Sequence, residues 1–210
     1  MREINKGPEP RELTLYKTQP SAVYDGPNFT PVKRKIREKL LIEQGFLCAY
    51  CMGRITESTM KIEHWACQHS NSELQLEYSN LLGCCKGHEG SPPSEQTCDT
   101  KKGGNGIKYS PANIEHRLNT KIQYSKAGKI YSTDDEFNRQ IDEILNLNKP
   151  RIVRNRLASM QEIQNILNKK EGKRSKSDIR KLLNKILERN NGMYTPYYGV
   201  IAFYLENKLA

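Results

Sequence analysis

Apolar residues recur at intervals of three and four along most of this chain, which is the spacing of amphipathic helices. The first such stretch contains Ile36, Leu40 and Leu41. Thr30 and Pro31 are typical of a helix start, so we predict a helix from there to about residue 44. The 29 residues before it hold four prolines and little periodicity, which predicts an extended N-terminal arm.

The chain beyond residue 130 is predicted to be a helical region. Three amphipathic stretches follow one another there, and the first is capped by Thr133 with Glu136 and ended by Pro150. A basic linker over residues 168–177 separates the second stretch from the third. Thr195 and Pro196 open a last segment, and its density of Tyr, Val and Ile leaves both a helix and a strand open.

Between residues 46 and 104 the pattern changes. Residues 46–57 and 60–65 predict two short strands joined by a turn, and residues 86–97 predict an exposed loop because Gly, Pro and Ser are frequent. The fold class is therefore predicted to be α+β and mainly helical. We expect a small core over residues 30–130 between the arm (1–29) and a basic helical C-terminal region (131–210).

Composition predicts a globular protein of the cytoplasm. The chain has 210 residues, of which 36% are apolar, and its mean hydropathy is -0.79. No apolar run approaches the roughly 18–20 residues of a membrane span, and the N-terminus lacks the apolar core of a signal peptide. A membrane partner is therefore not expected.

The formal net charge of +10 is concentrated in one segment. Residues 149–189 hold thirteen Lys and Arg against four acids. Such a field attracts polyanions, so nucleic acid is the leading partner class, and Lys173, Arg174 and Lys176 are its candidate contacts. The alternative is a solvated helix face.

Cysteine spacing points to a metal site. Cys48 and Cys51 have the spacing of a zinc knuckle, Cys98 is a natural third ligand, and Cys84 or Cys85 is the fourth, with Cys85 preferred. Four thiolates leave no open coordination position, so the predicted Zn²⁺ is structural and cannot activate water.

The order CAYC, IEHW, NLLGCC and CDTKKG resembles that of the HNH endonucleases, which have a ββα-metal fold. The resemblance implies that His64 is the general base, that Glu63 and Asp99 hold a catalytic Mg²⁺ or Mn²⁺, and that Asn80 fixes the loop and orients the histidine. A histidine pKa near 6.5 and hard oxygen ligands suit that chemistry.

Lys101 or Lys102 would then contact a phosphate oxygen. The chain departs from the family pattern in two ways. The final residue of the motif is Asp99 where His or Asn is usual, and twelve residues instead of two separate Cys85 from Cys98.

More narrowly, residues 1–157 resemble the PtuB-type nucleases, which are the HNH subunits of Septu antiphage systems and also accompany some retrons. This resemblance implies a PtuA-like ATPase of the ABC/SMC type as partner, and in retron forms a reverse transcriptase with its multicopy DNA. DNA is the expected substrate, with RNA, including tRNA loops, left open. The alternatives are a non-catalytic zinc-stabilised nucleic-acid-binding module and, more distantly, a CxxC redox protein.

Overall fold

The computed structural model describes residues 1–169, 172 and 174–209. Its architecture is α+β, with helices predominating and two small antiparallel sheets. In chain order the helices and strands of these described residues are α1 (Arg11–Lys17), α2 (Phe29–Glu43), β1 (Met60–His64), β2 (Leu81–Cys85), α3 (Cys98–Lys102), α4 (Leu118–Lys121), β3 (Ile122–Tyr124), β4 (Ile130–Ser132), α5 (Asp135–Glu143), α6 (Pro150–Asn168), α7 (Lys176–Leu187) and α8 (Tyr198–Leu209).

The central sheet pairs β1 with β2, in a register that places Glu63 opposite Leu82. The predicted hairpin between residues 46–57 and 60–65 is therefore wrong. Residues 46–57 form only one isolated bridge, between Leu47 and Arg54. They turn tightly instead, because the Cys48 amide donates to the Gly53 carbonyl at 2.9 Å. A tight turn is what a two-cysteine knuckle requires.

The N-terminal arm is not extended throughout, as the sequence led us to expect, because it contains α1. Leu13 and Tyr16 lie one turn apart on this helix and are both buried. The start of the arm lies against α8, where Arg2 pairs with Glu206 at 3.3 Å. The arm thus packs on its own chain. The buried core extends from Met1 to Leu205, and the division into three regions stays a prediction.

The predicted helix near residue 30 is present, but it begins at Phe29, with Asn28 at the N-cap in a left-handed conformation. Its C-terminal end is joined to β2 by Gln44. The buried Gln44 side chain donates to the carbonyls of Leu47 and Gly83 and accepts from the Gly83 amide, each at 2.7 Å. A Cβ at Gly83 would lie 3.2 Å from the Gln44 amide nitrogen, so the close approach favours glycine there.

The chain from residue 122 onward is mainly helical, as predicted for the C-terminal region, with three local differences. Asp134, one residue after Thr133, caps α5 by accepting from the Phe137 amide at 3.0 Å. Pro150 occupies the first turn of α6 and does not end the preceding helix. The unpredicted strands β3 and β4 have three residues each, too few for an alternation to show in the sequence.

The last segment is the helix α8, which packs on α6, α7 and β3. No helix among the described residues has both the length and the apolar character that crossing a bilayer requires.

We expect Gln44→Leu to lower the free energy of unfolding by about 3 kcal/mol, because it leaves the Leu47 carbonyl and the Gly83 amide without the partner that Gln44 provides. Urea denaturation measures the change. The matched control is Gln161→Leu on the exposed face of α6, which should change stability by less than about 0.5 kcal/mol. Equal effects in the two variants would contradict the role given to Gln44.

Candidate metal and catalytic site

Four cysteines from three separate segments meet at one point. The Sγ atoms of Cys48, Cys51, Cys85 and Cys98 all lie within 4.8 Å of one another, and those of Cys51 and Cys85 are 3.9 Å apart. The first two cysteines come from the knuckle turn, the third ends β2, and the fourth begins α3. The structure therefore brings together the four cysteines that the sequence nominated as ligands.

The geometry of this cluster fits a tetrahedral zinc ion. Zn–S bonds of about 2.3 Å require sulfur atoms roughly 3.8 Å apart, which the cluster satisfies with little movement. The Gly53 amide also donates to the Cys51 sulfur at 3.4 Å. Burial raises the pKa of the Cys48 thiol, but hydrogen bonds from neighbouring thiols outweigh burial and bring that pKa well below its usual value.

Cys84 and Cys85 are adjacent in sequence, but their side chains have different surroundings. Side chains alternate across a strand, so the two thiols point to opposite faces of β2. Cys84 contacts Cys48 but is not one of the four clustered thiols, and burial is the largest cause that raises its pKa well above the usual value. Cys85 is the residue that completes the cluster.

A buried arginine lies near the cysteines. Arg156 is 1% exposed, its Nη1 donates to the Leu147 carbonyl at 2.9 Å, and its Nη2 has no hydrogen-bond partner. Burial lowers the pKa of Arg156, whereas Tyr124, Cys51 and Cys98 raise it. No ion pair in the described part of the chain includes Arg156. A buried cation needs a compensating charge, and a zinc ion with four thiolates carries a net charge of -2.

Glu63 and Asp99 form a carboxyl pair beside the cluster. Glu63 is 4% exposed, and its Oε1 accepts from the Tyr50 hydroxyl at 3.0 Å and lies 2.8 Å from Lys102 Nζ. Burial and the neighbouring Asp99 raise the pKa of Glu63 well above its usual value, while Lys102 opposes them. The Asp99 side chain keeps 12% exposure and pairs with Lys61 at 3.3 Å, so the pair opens to solvent on the Asp99 side.

The expected phosphate contact at Lys102 is wrong. Its side chain is 0% exposed, because its ammonium group pairs with Glu63 and donates to the His64 carbonyl at 3.1 Å. A group held in this way cannot meet an external phosphate. Lys101 is partly exposed on the same short helix, and its contact with phosphate stays a prediction.

His64 ends β1, and its imidazole is held on two sides. Nε2 lies 2.9 Å from the Gln75 carbonyl, and the Tyr24 ring meets the imidazole edge-on with 4.5 Å between centroids. A carbonyl only accepts, so Nε2 carries the proton and the lone pair of the neutral ring lies on Nδ1. Burial lowers the pKa of His64, which favours the neutral ring at pH 7.

Asn80 contacts the loop between β1 and β2, and this loop in turn contacts His64. Its Oδ1 accepts from the Ala66 amide at 2.7 Å, and its Nδ2 donates to the carbonyls of Ala66 and Leu74 at 3.0 and 3.2 Å. These hydrogen bonds close the loop between β1 and β2. Gln75, next to Leu74, supplies the carbonyl that holds His64. Any effect of Asn80 on the orientation of His64 therefore passes through this loop, and the role predicted for Asn80 stays a prediction.

Many of the basic residues between 149 and 189 have structural roles. The Arg174 side chain donates to the Leu167 carbonyl at the C-terminal end of α6, at 2.7 Å. The Lys176 side chain donates to the Leu209 carbonyl at the C-terminal end of α8, at 2.9 Å. Lys173 lies outside the described residues. Exposed cations with no such role in the described segment are Arg154, Lys169, Arg180, Lys181 and Lys185. Three of these five exposed cations, Arg180, Lys181 and Lys185, lie on α7.

The sequence did not nominate Tyr50, Lys61 or the Gln75 carbonyl. Tyr50 lies inside the CAYC motif, and Lys61 lies two residues before Glu63 on the same strand face, so alternation along β1 could have found Lys61. A backbone carbonyl in a loop has no sequence signal.

No family profile matches this chain. A Vibrio cholerae (serotype O1 biovar El Tor) protein named "Retron Vc95 putative HNH endonuclease" is 26% identical over 174 residues, which cover 80% of this chain and 81% of that protein. The similarity therefore extends well beyond the short motifs. It supports an HNH-type endonuclease, the function class that the order of those motifs predicts.

Proposed function

We propose that this protein is a metal-dependent HNH endonuclease that hydrolyses phosphodiester bonds in nucleic acid. The observation that carries the proposal is the arrangement at the end of β1. A buried imidazole, fixed through Nε2, directly follows a carboxyl group that is paired with a second one from α3. A general base beside hard oxygen ligands suits phosphodiester hydrolysis.

In this proposal His64 Nδ1 accepts the proton of the attacking water, while the Gln75 carbonyl holds the ring in the required tautomer. Glu63 and Asp99 would hold a Mg²⁺ or Mn²⁺ ion, which supplies stabilisation of charge on the phosphoryl and leaving oxygens. Asn80 acts as a positioning residue by closing the loop that carries Gln75. Lys102 keeps the Glu63 carboxylate in place and is not itself a substrate contact.

The four-cysteine cluster would hold Zn²⁺ in a structural role. The fit rests on the mutual approach of the four Sγ atoms and on the buried guanidinium of Arg156. With every position filled by sulfur, the ion holds segments together and takes no part in hydrolysis.

We also propose a PtuB-type role, in which the nuclease is the effector of a cytoplasmic antiphage system with a PtuA-like ATPase, and in a retron setting with a reverse transcriptase and its multicopy DNA. The relative named for retron Vc95 supports the retron setting. The exposed side of α7, together with Lys101, would face the nucleic acid, with DNA as the first substrate to test and RNA as the second.

A non-catalytic nucleic-acid-binding module is the second candidate. The observation that favours it is that both carboxyl groups of the site are already paired with lysines, Glu63 with Lys102 and Asp99 with Lys61. Such a protein would bind nucleic acid without cutting it.

His64→Ala separates these two functions. We expect cleavage in Mn²⁺ to fall by about 10²–10⁴-fold, with the fold and zinc content unchanged. The assay measures cleavage of end-labelled DNA and RNA under single-turnover conditions. The control is His69→Ala, an exposed histidine of the following loop, which should retain activity. Undiminished cleavage by His64→Ala would rule out His64 as the base.

The same assay gives a pH profile. The neutral imidazole is the active form, and burial lowers its pKa below the usual 6.5. The rate of the wild type should therefore be flat near pH 7 and fall only as the pH drops below that lowered pKa. A profile whose acid limb lies above pH 7 would contradict this environment of His64.

Adjacent cysteines provide a matched pair for the zinc proposal. Cys85→Ser should lose bound zinc and destabilise the protein, because one of four thiolates is removed. Cys84→Ser, its neighbour outside the cluster, should retain one zinc per chain. Metal content is measured by mass spectrometry of the purified variants. Loss of zinc from Cys84→Ser alone would reverse the ligand assignment.

Arg180, Lys181 and Lys185 on α7 test the nucleic-acid surface. Changing all three to Gln should weaken oligonucleotide binding and flatten its salt dependence by about 0.9 in log–log slope for each lost phosphate contact on duplex DNA. Fluorescence anisotropy at several salt concentrations measures this. Changing Arg11, Arg34 and Lys126 to Gln removes the same charge from other exposed positions and should leave the slope nearly unchanged. Equal slopes in the two triple variants would exclude α7.

A further inference from the structure

Lys61 lies at the solvent side of the carboxyl pair and contacts two acids at once. It precedes Glu63 by two residues on β1, so both side chains project from the same face of the strand. Its Nζ is 3.3 Å from Asp99 Oδ2 and 3.0 Å from Glu89 Oε1. With carboxylate oxygens of two acids this close, the Lys61 side chain acts as the shared cation of both.

Glu89 belongs to the insertion loop (residues 86–97), which lengthens the spacing between Cys85 and Cys98. The C-terminal region holds this loop in place. Lys149 Nζ is 2.6 Å from Glu95 Oε1, and Arg151 Nη2 donates to the Glu95 carbonyl at 2.9 Å. The second acid that contacts Lys61 is thus supplied by a segment that α6 positions.

The two lysines of the site differ in their freedom to move. Lys102 is 0% exposed and is held by Glu63 and the His64 carbonyl. The Lys61 side chain is 32% exposed, and its second partner, Glu89, is 56% exposed. A divalent cation on Asp99 would repel an ammonium group on the same carboxylate. Lys61 can move away by keeping only its contact with Glu89.

We propose that Lys61 is a positioning residue that competes with the divalent cation for Asp99, and that Glu89 of the insertion loop holds Lys61 when the cation binds. This inference rests on the proposed function of Glu63 and Asp99 as cation ligands. It gives the insertion loop a role, because the position of Glu89 sets how strongly the site binds its cation.

The competition predicts effects of opposite sign for the two partners. Lys61→Met removes the competing charge and should tighten Mn²⁺ binding by about two- to fivefold, the size expected for a partly exposed ion pair. Glu89→Gln leaves Asp99 as the only acid for Lys61 and should weaken Mn²⁺ binding by a similar factor. A residue needed only for folding would not produce this reversal of sign.

The measurement is titration of Mn²⁺ into the zinc-loaded full chain, followed by calorimetry and by the Mn²⁺ electron paramagnetic resonance signal. Asp99→Asn identifies the component that belongs to this site. Lys86→Met, an exposed lysine at the start of the same loop, is the matched control and should bind as the wild type does. Zinc content and circular dichroism establish that each variant is folded.

The outcomes distinguish this inference from the proposed function. Unchanged or weaker Mn²⁺ binding by Lys61→Met overturns the competition, and if the variant instead loses oligonucleotide affinity, Lys61 is a phosphate contact. In either case, a wild type that binds Mn²⁺ and cleaves keeps the proposed function. If neither the wild type nor any variant binds Mn²⁺, the competition and the proposed function are both overturned. Binding by Lys61→Met but not by the wild type supports the competition in its strongest form.

Discussion

The approach of Cys98 to the other three cysteines is the constraint on which the proposed active site depends. β2 is paired with β1 in one sheet, whereas α3 is joined to β2 by a loop of twelve residues. Cys98 begins α3, and Asp99 follows it directly. The approach of the four thiols therefore helps to bring Asp99 against Glu63, together with the Lys102 side chain, which joins α3 to Glu63 and to the His64 carbonyl.

Charge is balanced inside this small core by buried groups of both signs. Arg156 lies near the thiols, and Lys102 pairs with Glu63. Breaking one partner of a buried pair leaves an uncompensated charge, which costs more stability than an exposed pair provides. The four-cysteine cluster and the carboxyl pair thus each have a buried cationic side chain beside them.

The sequence was most informative where chemistry requires fixed residue types. Cysteine spacing and the order of Glu63, His64, Asn80 and Asp99 were sufficient to nominate residues that the structure brings together. Strand pairing was mispredicted, because residues 46–57 look locally like a strand and the pattern cannot show that Leu81–Cys85 is the partner of β1. The sequence offered Lys101 or Lys102 as a phosphate contact, because nothing in the local pattern shows that the second of two adjacent lysines is buried.

The basic C-terminal segment shows how charge counting can overstate a binding surface. Lys149 and Arg151 hold the insertion loop, Arg156 is buried, and Arg174 and Lys176 bind carbonyls at helix ends. Of the exposed cations that remain, three lie on α7: Arg180, Lys181 and Lys185. Because α6 holds the loop that carries Glu89, a partner that shifted α6 would also shift the residue that contacts Lys61. A molecule docked on the C-terminal helices thus has a physical route to the carboxyl pair, through ion pairs and hydrogen bonds alone.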